Sequence, residues 1–263
     1  MLTPLRVVVL ALLLAPLSGP RPTHRVPGAA RKTVAVLRFD NNTGRPDYEH
    51  LGTGMAAMLT TDLSAVDDLQ LLERERLDDV TREIDRQRAP AFDSTTAVRV
   101  GRLSGAQFIV IGSLAAATPQ LRIDTRVIRV ETGAIVKSAT VAGRDDQFFD
   151  LQRRLARQLV KDLDIALTPE GDSALDARQQ AGRVDDVGAV VALSNAMSLA
   201  DAGDFVGASR TIAPVVARYP NSTFVSLTAS EIRARAAASA SQKAKTGINS
   251  GINKLLRKKW PPG

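Results

Sequence analysis

Leu71-Leu72-Glu73-Arg74-Glu75-Arg76-Leu77, and further along Gly105-Ala106-Gln107-Phe108-Ile109-Val110-Ile111-Gly112-Ser113-Leu114, decide the reading of the fold. The first passes from a short apolar strand directly into a charged helix. The second is a nearly continuous apolar run of strand length that ends in Gly-Ser, the pattern of a central strand covered on both faces. Strand, helix and buried strand in that order predict an α/β body.

The elements on either side extend the pattern. Thr33 to Phe39 is a short β-branched apolar run and reads as a strand, followed by the turn-rich cluster Asp40-Asn41-Asn42-Thr43-Gly44-Arg45-Pro46. Tyr48, Leu51, Met55, Met58, Leu59, Leu63 and Val66 recur at helical spacing. The charged run from Glu73 to Arg88 is helical with Leu77, Val80 and Ile84 inward. Pro90 stops it, and a short helix follows, capped by Asp93 or Ser94 and closed by Gly105 at a C′ position. Leu121-Arg122-Ile123-Asp124-Thr125-Arg126-Val127 alternates cleanly and has one wet face. Glu131-Thr132-Gly133 is a hairpin turn, and Ala134 to Val141 is the returning strand. Phe148, Leu151, Leu155, Leu159, Leu163 and Leu167 mark a long amphipathic helix ended by Pro169.

The resulting order is β-α-β-α-α-β-β-β-α, an α/β class body with a mixed sheet, and a small all-α region follows it. Residues 1–30 read as a secretory signal: Arg6, an apolar Val7–Leu17 run too short for an ordinary membrane span, and small residues at Gly28-Ala29-Ala30. The α/β domain occupies 31–167. Residues 168–184, polar and containing Pro, Gly and Asp, read as a linker. Residues 185–240 hold a helical hairpin, Val187–Ala202 and Phe205–Arg218, with Thr223–Ala240 as a third helix. Ala196, Leu199, Gly203-Asp204-Phe205, Ala208, Ile212 and Pro220 resemble one tetratricopeptide repeat, which needs a neighbour to cover its face. Residues 241–263 read as a basic flexible tail.

Charge is unevenly placed. The net charge is +7, of which residues 1–30 contribute +3 and residues 231–263 contribute +7; removing both leaves −3 for the body. The basic balance therefore belongs to the two ends, which argues against a nucleic-acid-binding face. Aromatic content of 4% also leaves little for base stacking. With no cysteine there are no disulfides, thiolate metal sites, Cys nucleophiles or lipid-modified N-terminal Cys.

Residues 33–167 resemble two related envelope families. Val34 to Asn41, Tyr48-Glu49-His50-Leu51, Ile109-Val110-Ile111-Gly112-Ser113 and Val130-Glu131-Thr132-Gly133-Ala134 look like the TolB amino-terminal domain. Leu71 to Gly105 is closer to the curli-secretion family typified by CsgG, and these groups are similar in fold to FlgO and LpoB. The resemblance implies a periplasmic or outer-membrane-associated protein that works by protein contact. Two departures bear on an export channel: there is no cysteine to lipidate, and the meander connections, Ala115–Gln120 and Glu131–Gly133, leave no spare length for a membrane-crossing hairpin.

Chemistry-bearing residues are sparse. His50 is the one histidine beyond the signal region, and no nucleophile elbow surrounds any serine. The acidic pairs Asp67-Asp68, Asp78-Asp79, Asp145-Asp146 and Asp185-Asp186 sit at turns or helix starts, where adjacent acids diverge. Gly52-Thr53-Gly54 lacks the Lys-Ser/Thr of a phosphate loop and reads as close helix packing. The candidate partner-contact patch is Glu73, Arg74, Glu75 and Arg76. Lys254, Arg257, Lys258, Lys259 and Trp260 are candidates for contact with an anionic surface.

The expectation is thus a non-enzymatic exported envelope protein without cofactor or metal. Its partners are envelope proteins, a second copy of itself included, with peripheral membrane contact through the tail and no transmembrane helix in the mature chain. The alternatives are a ring component of a curli-like export system and a carboxylate-based hydrolase.

Overall fold

The computed structural model describes residues 31–73, 77, 94–117 and 120–259, with side chains to Lys245. The expected signal at 1–30 and most of the charged helix expected over 73–88 lie outside these residues. From Arg31 onward the chain forms one compact unit.

Six strands build one mixed sheet among the described residues: β1 (Lys32–Val36), β2 (Asp40–Asn42), β3 (Leu69–Leu71), β4 (Phe108–Ala117), β5 (Gln120–Arg129) and β6 (Ile135–Arg144). The order is β3-β1-β4-β5-β6. β1 runs parallel to β3 and β4, while β4, β5 and β6 form an antiparallel meander. β2 lies on the same edge of β4 as β1, further along, with Asp40 opposite Ser113. Sequence alone suggested a plain turn at 40–46; the asparagines instead lengthen the sheet before the chain reverses. Asn41 Oδ1 accepts from the Thr43 amide at 3.1 Å, and Gly44 takes φ +69°.

The offset between β1 and β2 has an identifiable cause. Leu37 N donates to Val110 O at 2.9 Å, so β1 is still in register there. Phe39 then leaves the ladder, its amide donating to Gly52 O at 3.3 Å at the start of helix α1 (Leu51–Leu63). The Phe39 side chain, 2% exposed, lies over Gly112 of β4. A Cβ at Gly112 would fall 2.3 Å from the Phe39 ring, and one at Gly52 would fall 1.9 Å from the Phe39 carbonyl oxygen. Both glycines are required by close approach of an aromatic and a backbone.

The two faces of the sheet bury different layers. Val34, Val36, Val110, Leu114, Leu121, Ile123 and Val127 face α1 and α3 (Phe148–Asp162). Ala35, Leu37, Ile109, Ile111, Ile128 and Val130 face α2 (Ser94–Ser104) and Leu77. α2 ends as expected, with Gly105 at φ +80° and both the Gly105 and Ala106 amides bonded to Gly101 O at 2.9 Å. The hairpin at Gly133 also matches its expectation, with φ +71° and Arg129 N donating to Ala134 O. The meander strands are longer than expected, β4 running to Ala117 and β6 to Arg144.

The chain beyond the sheet differs more. The helix expected to reach Leu167 ends at Asp162. Asp164 takes φ +53° and Ile165 N donates back to Val160 O, which turns the chain. Where a linker was expected, α4 (Pro169–Ala181) forms. Thr168 is its N-cap, accepting from Gly171 N at 3.1 Å, and Pro169 fills the first turn, where its missing N–H is not needed. Arg157 pairs with Asp172 and Asp176, and Arg153 reaches Asp176 at 3.2 Å, tying α4 to α3.

α5 (Val187–Asp201) and α6 (Phe205–Arg218) make the expected helical hairpin, each capped by an aspartate, Asp186 and Asp204. Ala196 and Ala208 are fully buried. Part of the cover that a lone hairpin needs comes from α1: a Cβ on Gly54 would meet Ser194 Oγ at 2.1 Å. α7 (Thr223–Lys259) supplies more, burying Phe224, Val225, Ala229 and Ile232. It continues as helix through residues expected to form a flexible tail. One apolar core therefore runs unbroken from Val34 to Ile232.

At the α1–α3–α4 junction, Asp62 is buried and accepts from Gln152 Nε2 at 2.8 Å. Burial raises its pKa above the usual 3.8, against the lowering effect of hydrogen bonds from Gln152 and Gln179. Below the ordinary value the carboxyl is protonated in both folded and unfolded chains. As pH rises through the elevated folded value, the native state must hold a desolvated charge and loses stability.

Two predictions follow from this packing. Gly112→Ala should lower the urea-unfolding free energy by about 1–3 kcal/mol through overpacking; an unchanged midpoint would contradict the Phe39 contact. Asp62→Asn keeps an acceptor for Gln152 without the charge. Its stability relative to the parent should rise between acidic and neutral pH in denaturant titrations, and a constant difference would show that Asp62 carries no buried charge.

Candidate functional site

The sequence-derived patches are not assembled here. Glu73 is exposed just beyond β3, while Arg74, Glu75 and Arg76 lie outside the described residues. Lys254, Arg257, Lys258 and Lys259 fall on the last turns of α7, beyond the described side chains, and Trp260 is outside. The acidic pairs are held in separate places. Asp145 and Asp146 pair with Arg45 and Arg144; Asp185 pairs with Arg183, and Asp186 caps α5 and pairs with Arg218. Asp78 and Asp79 are outside. Among the described residues no group of three or more His, Cys, Asp or Glu is placed to hold a metal ion. His50 precedes α1 and makes no side-chain cap bond.

The sheet itself carries a site. Ile128 of β5 and Val130 just beyond the strand lie under α2, and the same face earlier along β5 presents Arg122, Asp124 and Arg126. Pairing registers place Asp40, Ser113, Asp124 and Thr140 opposite one another in a single row across β2, β4, β5 and β6. Period-two alternation puts the row on one face, its members spaced by about 4.8 Å per strand. On either side run Asn42–Ala115–Arg122 and Ile111–Arg126–Ser138. Of these residues Asp40, Asn42, Ile111, Ser113, Asp124 and Arg126 line a groove of about 220 Å³.

The two carboxylates differ. Asp124 Oδ1 accepts from Thr140 Oγ1 at 2.6 Å and from Arg122 Nε at 2.9 Å. Partial burial pushes its pKa up, but these bonds and the Arg122 and Arg126 charges outweigh burial and hold it below the usual range. Asp40 is half-buried, and its pKa is raised by burial, which Arg38 partly opposes. Among the described residues its carboxylate receives no hydrogen bond. The groove thus pairs one satisfied and one unsatisfied carboxylate with exposed guanidinium groups, an arrangement suited to binding a polar group. The wet face of β5 was legible in sequence. Asp40 was not, because its stretch read as a turn.

The fold defines a layered α/β body, a mixed sheet with helices on both faces and a helical extension. Residues 22–122 match the family model described as curli production assembly/transport component CsgG. A protein of Rhizobium meliloti (strain 1021) named "Putative adenylate cyclase 3" is 26% identical over 158 residues, 59% of this chain and 24% of that one. The chain thus spans about a quarter of the length of that curated relative. Among solved structures, the LpoB C-terminal domain from Salmonella enterica matches with TM-score 0.38 and 17% identity, over 45% of this chain and 87% of that one. TolB from Acinetobacter baumannii matches at 0.35 and 10%, over 51% and 29%. A PelC dodecamer structure from Paraburkholderia phytofirmans matches at 0.35 and 20%, over 54% and 94%. These structural matches are partial backbone resemblances at low identity.

Thr140→Val removes a donor to Asp124. The Asp124 carboxyl, followed by NMR titration, should then titrate at higher pH; an unmoved titration would show that the hydroxyl does not hold the ionised form.

Proposed function

We propose that this chain is an exported cell-envelope protein that acts through protein contact rather than catalysis. The observation that carries the reading is the match of residues 22–122 to a family described by assembly and transport. The signal-like Arg6 and Val7–Leu17 segment supports export, and the charge distribution supports a neutral-to-acidic body with basic ends. The continuous core joining sheet and hairpin supports a rigid platform with two contact surfaces, the sheet groove and the α5–α6–α7 layer. The basic end of α7 would meet anionic surfaces. In the described residues no helix is long and apolar enough to cross a membrane.

Two other readings rest on particular observations. Self-assembly into a ring agrees with the assembly component named by the family model. Light scattering on the purified chain decides it, a strict monomer at micromolar concentration counting against it. The relative named for a cyclase favours a module carried by larger signalling proteins. In that case too the body binds and does not cyclise: incubation of the full chain with ATP and a divalent cation should give no cyclic AMP, and its formation would overturn the non-enzymatic reading.

Cell fractionation tests the leading reading. A tagged chain should appear in the envelope fraction, shortened at its N-terminus, and should capture envelope proteins in a pull-down. Full-length chain confined to the cytoplasm would contradict it.

A further inference from the structure

The groove on the β2–β4–β5–β6 face has an alternating charge pattern that selects its occupant. At its centre stand Asp40, without a hydrogen-bonded partner among the described residues, and Asp124, whose Oδ2 takes none of the bonds made by Thr140 and Arg122. One same-face row away, Arg126 is exposed and makes no side-chain hydrogen bond among the described residues. A simple anion entering the groove would meet the carboxylate row. A simple cation would meet the guanidinium of Arg126. An apolar molecule would desolvate all of them without pairing any. A molecule with an ammonium at one end and a carboxylate at the other satisfies both rows with charge-assisted hydrogen bonds.

Spacing sets the length of that molecule. Adjacent same-face rows on a strand are separated by about 6.5–7 Å. An extended peptide advances about 3.3–3.6 Å per residue, so two residues bridge the rows and one does not. Ser113, between the carboxylates, offers a hydroxyl to the peptide bond. The cavity of about 220 Å³ agrees with an occupant of that size.

We propose that this groove binds short peptides with free termini, dipeptides above all, with the ammonium against Asp40 and Asp124 and the terminal carboxylate against Arg126. The groove is the sheet contact surface of the envelope reading, here given an occupant of stated chemistry. It would function wherever the chain resides, so fractionation and this test fail independently.

The experiment is an amide NMR titration of the full chain with alanylalanine, with free alanine and with N-acetyl-alanylalanine amide. Alanylalanine should shift the amides of Asp40, Ser113 and Arg126 saturably, free alanine should bind more weakly, and the capped dipeptide should leave them in place. Asp40→Asn and Arg126→Gln should each weaken binding by about tenfold or more, the usual loss on removing one charged hydrogen-bond partner. Unshifted amides of α5 and α6 in both variants would show that the fold is retained. Equal binding of the capped dipeptide, wild-type affinity in both folded variants, or no shifts in the groove at the highest soluble concentration would each overturn the proposal.

Discussion

The structure depends on Phe39 occupying space that two glycines leave open. Its ring covers Gly112, its carbonyl lies against Gly52, and its amide is satisfied by the first turn of α1 rather than by β4. An aromatic side chain buried to 2% contributes strongly to the core. Here it also interrupts the ladder, so that one strand becomes two segments along the same neighbour. That interruption sets which residue of β2 faces Ser113, and therefore which carboxylate enters the groove. It also fixes α1 against the sheet, and α1 in turn receives α5 through Gly54.

The helical layers follow from that anchoring. A helical hairpin of the α5–α6 kind has an apolar face that it cannot cover alone. Cover comes from α1 and α7, which makes the hairpin continuous with the sheet core. α4 joins the two regions by charge and burial together on one face: Asp172 and Asp176 engage Arg153 and Arg157, and beside them Leu175 and Gln179 are fully buried. Exposed ion pairs of this kind are individually worth little, so burial of Leu175 carries most of the docking.

Much of this was legible in sequence, and the failures have physical reasons. Alternation along β5 and the apolar run of β4 gave the meander, because a sheet with one wet face imposes period two. Gly105 and Gly133 were readable because turns of that kind need positive φ. Pro169 was misread as a stop. The signal of a start was present in Thr168-Pro169-Glu170, a cap, a proline at N1 and an acid in the first turn, but composition around it favoured a linker. The early end of α3 rests on Asp164 at positive φ, which an aspartate tolerates without announcing it. β2 escaped notice because Asp-Asn-Asn favours turns locally, whereas its strand state depends on β4, a partner distant in sequence. The groove was half visible: Arg122, Asp124 and Arg126 lay on the wet face, but only the register of β2 brings Asp40 to them.

The register of β2 on β4 is therefore the central claim, and the absence of cysteine from the chain makes it directly measurable. Cysteines placed at Asn42 and Ala115, which lie opposite each other on one face, should be joined within the molecule by a short thiol cross-linker. Cysteines at Asn41 and Ala115 point to opposite faces and should not be joined. Cross-linking of the second pair in preference to the first would show that β2 is shifted by one residue and that Asp40 faces away from the groove.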